Sequence, residues 1–357
     1  MRSRLGTEMR ATGSDNLPGI QIRGHGLAGA LLAEVLSAAG FPLKVTDDGG
    51  PCSSRVAAGL YTPLTGKRMI PGWRLEDALP RVYELYPRLE TELGIRFHHR
   101  LDTVRIFRDE AQRTEAETRG PRNRITLEDV SRLPFHAPFG GCRITGGGWV
   151  NLPLLLDGLA GRRRERKEWG ELDHPDLTIW AQGARASADP RWAECGWRNA
   201  HGDVLTVEID GLPEESIFHF GRFLIPLGNH RFRCGATYAW NIPGPEPRPE
   251  GRGELESELG NSLRLPFRVT EHRAGIRPVA LARVPIAGPH PEDPAHWIFN
   301  GFGSKGVLYA PWMAERLRDC LLKGHPLPRD TQAARRIQRQ RDREKTREGR
   351  KKSHREK

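Results

Sequence analysis

The sequence predicts an α/β fold of two domains, one opening on a βαβ unit and one built on an antiparallel sheet. Three observations carry this. A short strand at 20–23 runs into Gly24-His25-Gly26-Leu27-Ala28-Gly29 and then into a helix of small and apolar residues. Residues 204–240 alternate in hydrophobicity and are rich in Phe, Val, Ile and Tyr. A second glycine-rich strand-to-helix turn, Gly301-Phe302-Gly303-Ser304-Lys305-Gly306, lies at the far end of the chain.

Residues 1–18 form a polar, flexible lead-in that ends at Pro18. Beyond the first strand, 30–39 reads as a helix with an apolar face, Gly40 ends it, and 43–46 returns as a second strand leading to Asp47 and Asp48. In such a Rossmann-like start, Gly24 permits the tight turn and Gly26 lets backbone N–H groups approach a phosphate. Gly29 allows the helix to pack on the strand, so its positive end faces the anion. Asp47 lies where an acidic residue accepts hydrogen bonds from ribose hydroxyls. Gln21 and Arg23 are polar for a buried first strand. Taken alone, this cradle suits NAD or FAD.

Leu79, Val82, Leu85, Leu89 and Leu93 give 76–93 helical spacing. Residues 95–107 read as strands, 111–124 as a charged loop, and the glycine-rich 140–150 as a turn before an N-capped helix at 151–159. Residues 176–183 form a short buried strand ending in Ala181-Gln182-Gly183, the kind that lies beside the first strand. A Gly228-Asn229 turn divides the antiparallel segment, 243–253 is a Pro-rich loop, 254–263 a helix and 267–276 a strand. The last folded unit is a strand at 297–300 and a helix at 307–322.

With 357 residues and 37% hydrophobic content the chain can bury a large core. No apolar run reaches the length of a membrane span, and the basic residues 1–10 are not followed by a signal-peptide core, so a soluble, cytoplasmic protein is expected. Five cysteines without CxxC spacing indicate neither a disulfide framework nor a metal site. The net charge of +11 sits mainly in 331–357, where 12 Lys or Arg face 4 Asp or Glu. Ile337 is the single aliphatic residue after Ala334, so 326–357 reads as a basic tail, disordered or a solvated helix, with attraction to RNA or an acidic partner as the alternative.

Four passages together resemble the D-amino-acid-oxidase superfamily of FAD enzymes, over roughly residues 19–325. They are the Gly24–Gly29 turn; residues 53–68; Gly275-Ile276-Arg277-Pro278 with 283–288; and 300–311. The chain is most similar to bacterial members near glycine oxidase and the FAD domain of the enzyme that modifies tRNA wobble uridine. The resemblance implies a Rossmann-like FAD-binding domain of the GR2 type at 19–94, 140–200 and 274–325, with an antiparallel substrate domain at 95–139 and 201–273. The active site would lie at the interface of the two.

The same resemblance implies roles for individual residues. Ser53, Ser54 and Arg55 would hydrogen-bond the pyrophosphate, and Ala58 and Gly59 would let the isoalloxazine edge approach the backbone. Gly183 would border the cofactor. Gly303, Ser304, Lys305, Gly306, Val307 and Leu308 would aim the last helix at the flavin pyrimidine ring, with Lys305 adding a full charge. Arg277 would grip a substrate carboxylate, with Tyr238 and Tyr61 completing the pocket. Where these flavoproteins usually carry Glu this chain has Asp47, with Asp48 as a substitute, and the basic segment 161–176 poorly marks the strand that contacts adenine. No cysteine sits near Arg277 as in relatives with covalent flavin, so non-covalent FAD is expected. The implied reaction is oxidation of a C–N bond of an amino acid or secondary amine, by hydride transfer to flavin N5. The alternatives are a tRNA-modification enzyme using the basic tail and a 2-hydroxy-acid oxidoreductase.

Overall fold

The computed structural model describes residues 17–120 and 124–355, and the first sixteen residues of the expected lead-in lie outside that range. The chain divides into two compact units. The first comprises Met1–Gly50, Leu159–Asn199 and Pro278–Lys357; the second comprises Pro51–Gly158 and Ala200–Arg277. Segments 51–94 and 140–158, assigned from sequence to the FAD-binding domain, therefore group with the second unit. The reason is strand pairing: Gly148–Val150 is antiparallel to both Leu60–Tyr61 and His98–Arg100, which knits these segments into one small sheet. Residues 274–277, assigned likewise, also group with the second unit, because their strand pairs with Ala200–Glu208.

The first unit is built on a five-stranded sheet in the order Ile286–Pro289, His296–Asn300, Leu177–Trp180, Ile20–Arg23, Leu43–Thr46. The last four strands run parallel, and Ile286–Pro289 is an antiparallel edge. The expected strand at 176–183 thus lies beside the first strand. Ile22 stands opposite both Val45 and Ile179, all three fully buried, as a central parallel strand requires.

Gln21 and Arg23, the polar residues of that strand, have specific partners. The Gln21 side chain accepts from Leu172 N (2.8 Å) and donates to the Gly170 carbonyl (3.3 Å), while Arg23 pairs with Glu171 at 3.1 Å. They tie down the basic segment whose strand could not be assigned from sequence. That segment keeps only a parallel bridge between Trp169 and Val45. Helix Leu152–Glu165 precedes it, and Arg162 and Arg163 from its end form buried ion pairs with Glu34 of helix Leu27–Ala38.

The second unit centres on a nine-stranded mixed sheet. Its longest pairing sets Ala200–Glu208 antiparallel to Arg268–Arg277 and, on the other side, to Arg231–Gly235. Within this antiparallel setting Ile217–His219 runs parallel to Thr103–Ile106. Helix Pro249–Ser262 lays Leu255 and Leu259, one turn apart, onto a core of Leu205, Phe218, Leu224 and Phe232.

Three expectations are corrected. The loop at 111–124 is largely a helix, Glu110–Arg119, capped by Asp109, whose carboxylate accepts from Gln112 N at 2.9 Å. Its buried stripe is only Gln112 and Ala116, too little apolar signal to read. The glycine-rich turn at 140–150 is two strands, Gly141–Ile144 and Gly148–Val150. Glycine is needed there for proximity, since a Cβ at Gly148 would overlap the Tyr61 ring.

The basic tail is helical over Ala333–Arg355, and its start is docked rather than solvated. Ala333 and Ile337 enter a core of Trp180, Trp192, Ile286 and Ile298, with Ile337 fully buried. Arg336 donates to the carbonyls of Val284, Pro285 and Asp330, each at 2.9 Å, and Arg341 bridges Glu194 and Glu292. Among the described residues no helix is long and apolar enough to cross a membrane.

One aliphatic residue therefore fixes the start of the tail. Ile337→Ala should cost about 2–4 kcal/mol of stability through the cavity it leaves, measured as the shift of a urea transition followed by circular dichroism. An unchanged midpoint would contradict the docking.

Candidate functional site

In the first unit the strand-to-helix turn is built by backbone proximity. Gly24 has φ +108°, and a Cβ there would stand 2.6 Å from the Ala181 carbonyl oxygen of the neighbouring strand. A Cβ at Gly29 would land on the Gly24 carbonyl oxygen. Helix and strand are thus as close as backbone allows. Helix Leu27–Ala38 begins at Gly26 with no side-chain cap and no acidic residue in its first turn, leaving its positive end to an external anion.

Around this turn lie the other residues expected at the cofactor. His25 is buried edge-on to Trp169, ring centroids 5.1 Å apart. Leu27 is buried, and Ala28 lies beside it on the first helical turn. Asp47 accepts from His25 N (2.6 Å) and Gly49 N (2.9 Å), so its carboxylate orders the turn itself. Asp48 pairs with Arg185, whose hydrogen bond holds the carboxyl below its usual range. The Gly183 carbonyl accepts from Asn300 Nδ2 at 2.9 Å, joining two strand ends. Trp169 and Arg185 carried no sequence signal of their own, because each acts through a neighbour distant in the chain.

The second glycine turn belongs to the same unit. Gly303 (φ +57°) donates to the Pro278 carbonyl at 2.9 Å, and helix Gly306–Lys323 starts with neither a side-chain cap nor a first-turn acid. A Cβ at Gly306 would meet Leu27 at 3.2 Å, so the two uncapped helix ends are neighbours. Ser304 is exposed, while Val307 and Leu308 are buried in the first turn. Lys305 is half-buried, has no carboxylate in ion-pair range among the described residues, and is pushed down by burial to about 8.

In the second unit, Arg277 ends the strand Arg268–Arg277 opposite Ala200. Its guanidinium lies across Gly202, where a Cβ would overlap it. Nη1 donates to the Thr237 carbonyl (3.1 Å) and the His201 carbonyl (3.4 Å), and Cζ stands 4.8 Å from the centre of the Tyr238 ring. Burial disfavours its charge. Yet no carboxylate lies in ion-pair range of it among the described residues, whereas Arg222 nearby pairs with Glu254 and Glu258. Tyr238 is 43% exposed and edge-on to Trp240.

Other expected residues in this unit have structural duties. Tyr61 is buried, its hydroxyl 2.8 Å from His98 Nε2; burial raises the Tyr61 phenol and lowers His98 to about 4. Tyr61 thus sits in the core of this unit with its hydroxyl against His98. Ser53, Ser54 and Arg55 form the single helical turn Ser53–Val56, and Arg55 reaches Asp157 at 2.7 Å. Ala58 is buried, and the Gly59 carbonyl accepts from Val150 N at 3.0 Å. All five cysteines are free, and no cluster of His, Cys, Asp and Glu among the described residues is arranged to hold a metal.

Comparison with known proteins gives this arrangement its class. Residues 20–320 match the family model DAO, FAD dependent oxidoreductase. The chain belongs to that family: it is an FAD-dependent oxidoreductase. It is 28% identical over 347 residues to the tRNA 5-methylaminomethyl-2-thiouridine biosynthesis bifunctional protein MnmC of Caulobacter vibrioides, a match covering 87% of this chain and 56% of that protein. The chain thus spans little more than half the length of that relative. Among solved structures, iminodiacetate oxidase from Chelativorans sp. BNC1 superposes with TM-score 0.67 at 20% identity, covering 87% of this chain and 97% of that one. Glycine oxidase from Bacillus cereus gives 0.70 at 16%, covering 87% and 96%. At these identities the likeness is one of fold.

The first unit fits FAD on its own geometry: a turn too close for any Cβ, beside two uncapped helix ends and an unpaired lysine. Lys305 makes the fit pH-dependent. A bound anion favours the ammonium form, so FAD affinity should be full below pH 8 and fall as pH rises through it, by on the order of tenfold. Fluorescence titration with FAD between pH 6.5 and 9.5 measures this, and Lys305→Met should flatten the dependence. A wild-type affinity constant across that range would contradict it.

Proposed function

We propose that the protein oxidises a C–N bond of an amino acid or secondary amine that carries a carboxylate, and that Arg277 holds that carboxylate. The observation that carries the reading is a half-buried guanidinium tethered at Nη1 by two carbonyls, with no carboxylate in ion-pair range among the described residues. A desolvated cation with spare donors binds a planar carboxylate in a charge-assisted pair. Tyr238, exposed beside it, offers an aromatic face and a hydroxyl to the rest of the substrate.

Non-covalently bound FAD, held through Gly24–Gly29 and Gly303–Leu308, supplies the two-electron acceptor. The protein's own task is positional. Arg277 fixes the substrate by its carboxylate, and a substrate amine bound neutral already carries the lone pair that drives loss of hydride from Cα. No side-chain base is required for this. The names of the two oxidases of like fold, glycine oxidase and iminodiacetate oxidase, agree with a small amine bearing a carboxylate.

Anaerobic mixing of the FAD-loaded protein with glycine, N-methylglycine, iminodiacetate and glycolate tests the reading. At least one amine should bleach the flavin, and Arg277→Ala should lower kcat/KM for it by about 10²–10³-fold, with Arg277→Lys intermediate. Bleaching by glycolate alone would move the assignment to a 2-hydroxy acid. An alanine variant as active as wild type would remove Arg277 from the site.

The match to the Caulobacter protein over most of this chain supports a second reading, in which the amine is part of a tRNA. The basic C-terminal helix would then concentrate the enzyme on RNA. Ending the chain after Asp342 removes a net charge of +5 and leaves Ile337 and Arg341 docked. A tRNA enzyme should lose RNA affinity and show a shallower salt dependence in filter binding, while a small-amine oxidase should keep its turnover.

A further inference from the structure

The strand facing Arg277 carries a buried anion for which the proposed carboxylate grip has no direct use. Asp203, in the middle of Ala200–Glu208, is fully buried, and among the described residues no Lys or Arg side chain lies in ion-pair range of it. Oδ1 accepts from Arg248 N and lies 3.0 Å from His272 Nε2. Oδ2 accepts from the Thr237 hydroxyl at 2.9 Å and lies 3.5 Å from His201 Nδ1. His201 Nε2 meets the Glu246 carbonyl at 2.9 Å. A Cβ at Gly251 would overlap the carboxylate, so helix Pro249–Ser262 seals it from above.

These contacts converge on one residue. Thr237 is held to Asp203 three times: its hydroxyl donates to Oδ2, the same oxygen accepts from Asp203 N at 2.7 Å, and its own N donates to the Asp203 carbonyl at 3.1 Å. The carbonyl of Thr237 is in turn the shorter of the two acceptors for Arg277 Nη1. A buried carboxylate is costly unless fully hydrogen-bonded, and such a network admits few arrangements. Moving Thr237 would move the acceptor that aims the guanidinium.

We propose that Asp203 and Thr237 are positioning residues for Arg277: the buried carboxylate locks Thr237, and the Thr237 carbonyl sets the direction in which the free edge of the guanidinium faces substrate. The inference rests on the carboxylate reading of Arg277. Asp203 also acts at longer range. Burial disfavours the charge on Arg277, and the negative charge of Asp203 offsets part of that.

The test is anaerobic calorimetric titration of the FAD-loaded protein with iminodiacetate, with flavin content and melting temperature recorded for each variant. Thr237→Val keeps the side-chain shape and loses the hydroxyl; Thr237→Ser restores it. The dissociation constant should rise about tenfold in Thr237→Val and stay within about twofold of wild type in Thr237→Ser, at equal flavin content. A lower melting temperature with unchanged affinity would assign the network to stability alone and overturn the proposal. Should Thr237→Val fail to fold, Asp203→Asn decides: about tenfold weaker binding supports the proposal, and wild-type binding overturns it. Arg277→Ala separates the two levels. If it binds as wild type does, or if wild type binds none of iminodiacetate, glycine and N-methylglycine in the same titration, the carboxylate reading itself falls and this inference with it.

Discussion

The first unit depends on one backbone contact that admits no side chain. Gly29, in the first turn of its helix, lies against the Gly24 carbonyl, and Gly24 lies against Ala181 of the next strand. From that approach follow the angle of helix Leu27–Ala38, the exposure of its positive end, and the neighbouring start of helix Gly306–Lys323, which touches Leu27. Even Asp47 serves it, spending its carboxylate on the backbone of the turn. In the proposed cofactor site, geometry and dipoles would hold the anion, with one full charge, Lys305, beside them.

Among the described residues, Lys305 in the first unit and Arg277 in the second are cations that burial disfavours and that have no carboxylate in ion-pair range. Several other buried cations have close partners. Arg162 and Arg163 share Glu34, Arg222 has two glutamates, and Arg336 caps three carbonyls. The proposed function assigns the anion-binding role to Lys305 and Arg277. Asp203 is the counterpart in reverse, a buried anion satisfied by hydroxyl, amide and imidazole groups.

Much of this was legible in the sequence where the signal is local. The first strand, turn and helix, the partner strand ending at Gly183, and the closing strand and helix each announce themselves by periodicity and glycine spacing within a dozen residues. Elements lacking an apolar stripe were not: Glu110–Arg119 buries only Gln112 and Ala116, and glycines that read as a turn at 140–150 are there so that strands can come close. The tail seemed unable to bury anything, yet Ile337 suffices, because Trp180, Trp192 and Ile286 from distant parts of the chain leave a place for it. The grouping of 51–94 with the second unit likewise depends on long-range strand pairing. For the site, Arg277 was singled out only through the family resemblance, and the Asp203 and Thr237 network joins residues 34 apart and is invisible without the sheet register.

The central claim is that the cofactor cradle exists because no Cβ stands between the first strand and its helix. Equilibrium dialysis of FAD against the wild-type protein and Gly29→Ala, with circular dichroism to confirm that both are folded, tests it directly. Wild type should hold one FAD per chain and the folded variant should bind at least about 10²-fold more weakly, since its helix must move away from the phosphates. A folded Gly29→Ala protein that binds FAD as tightly as wild type would contradict the account.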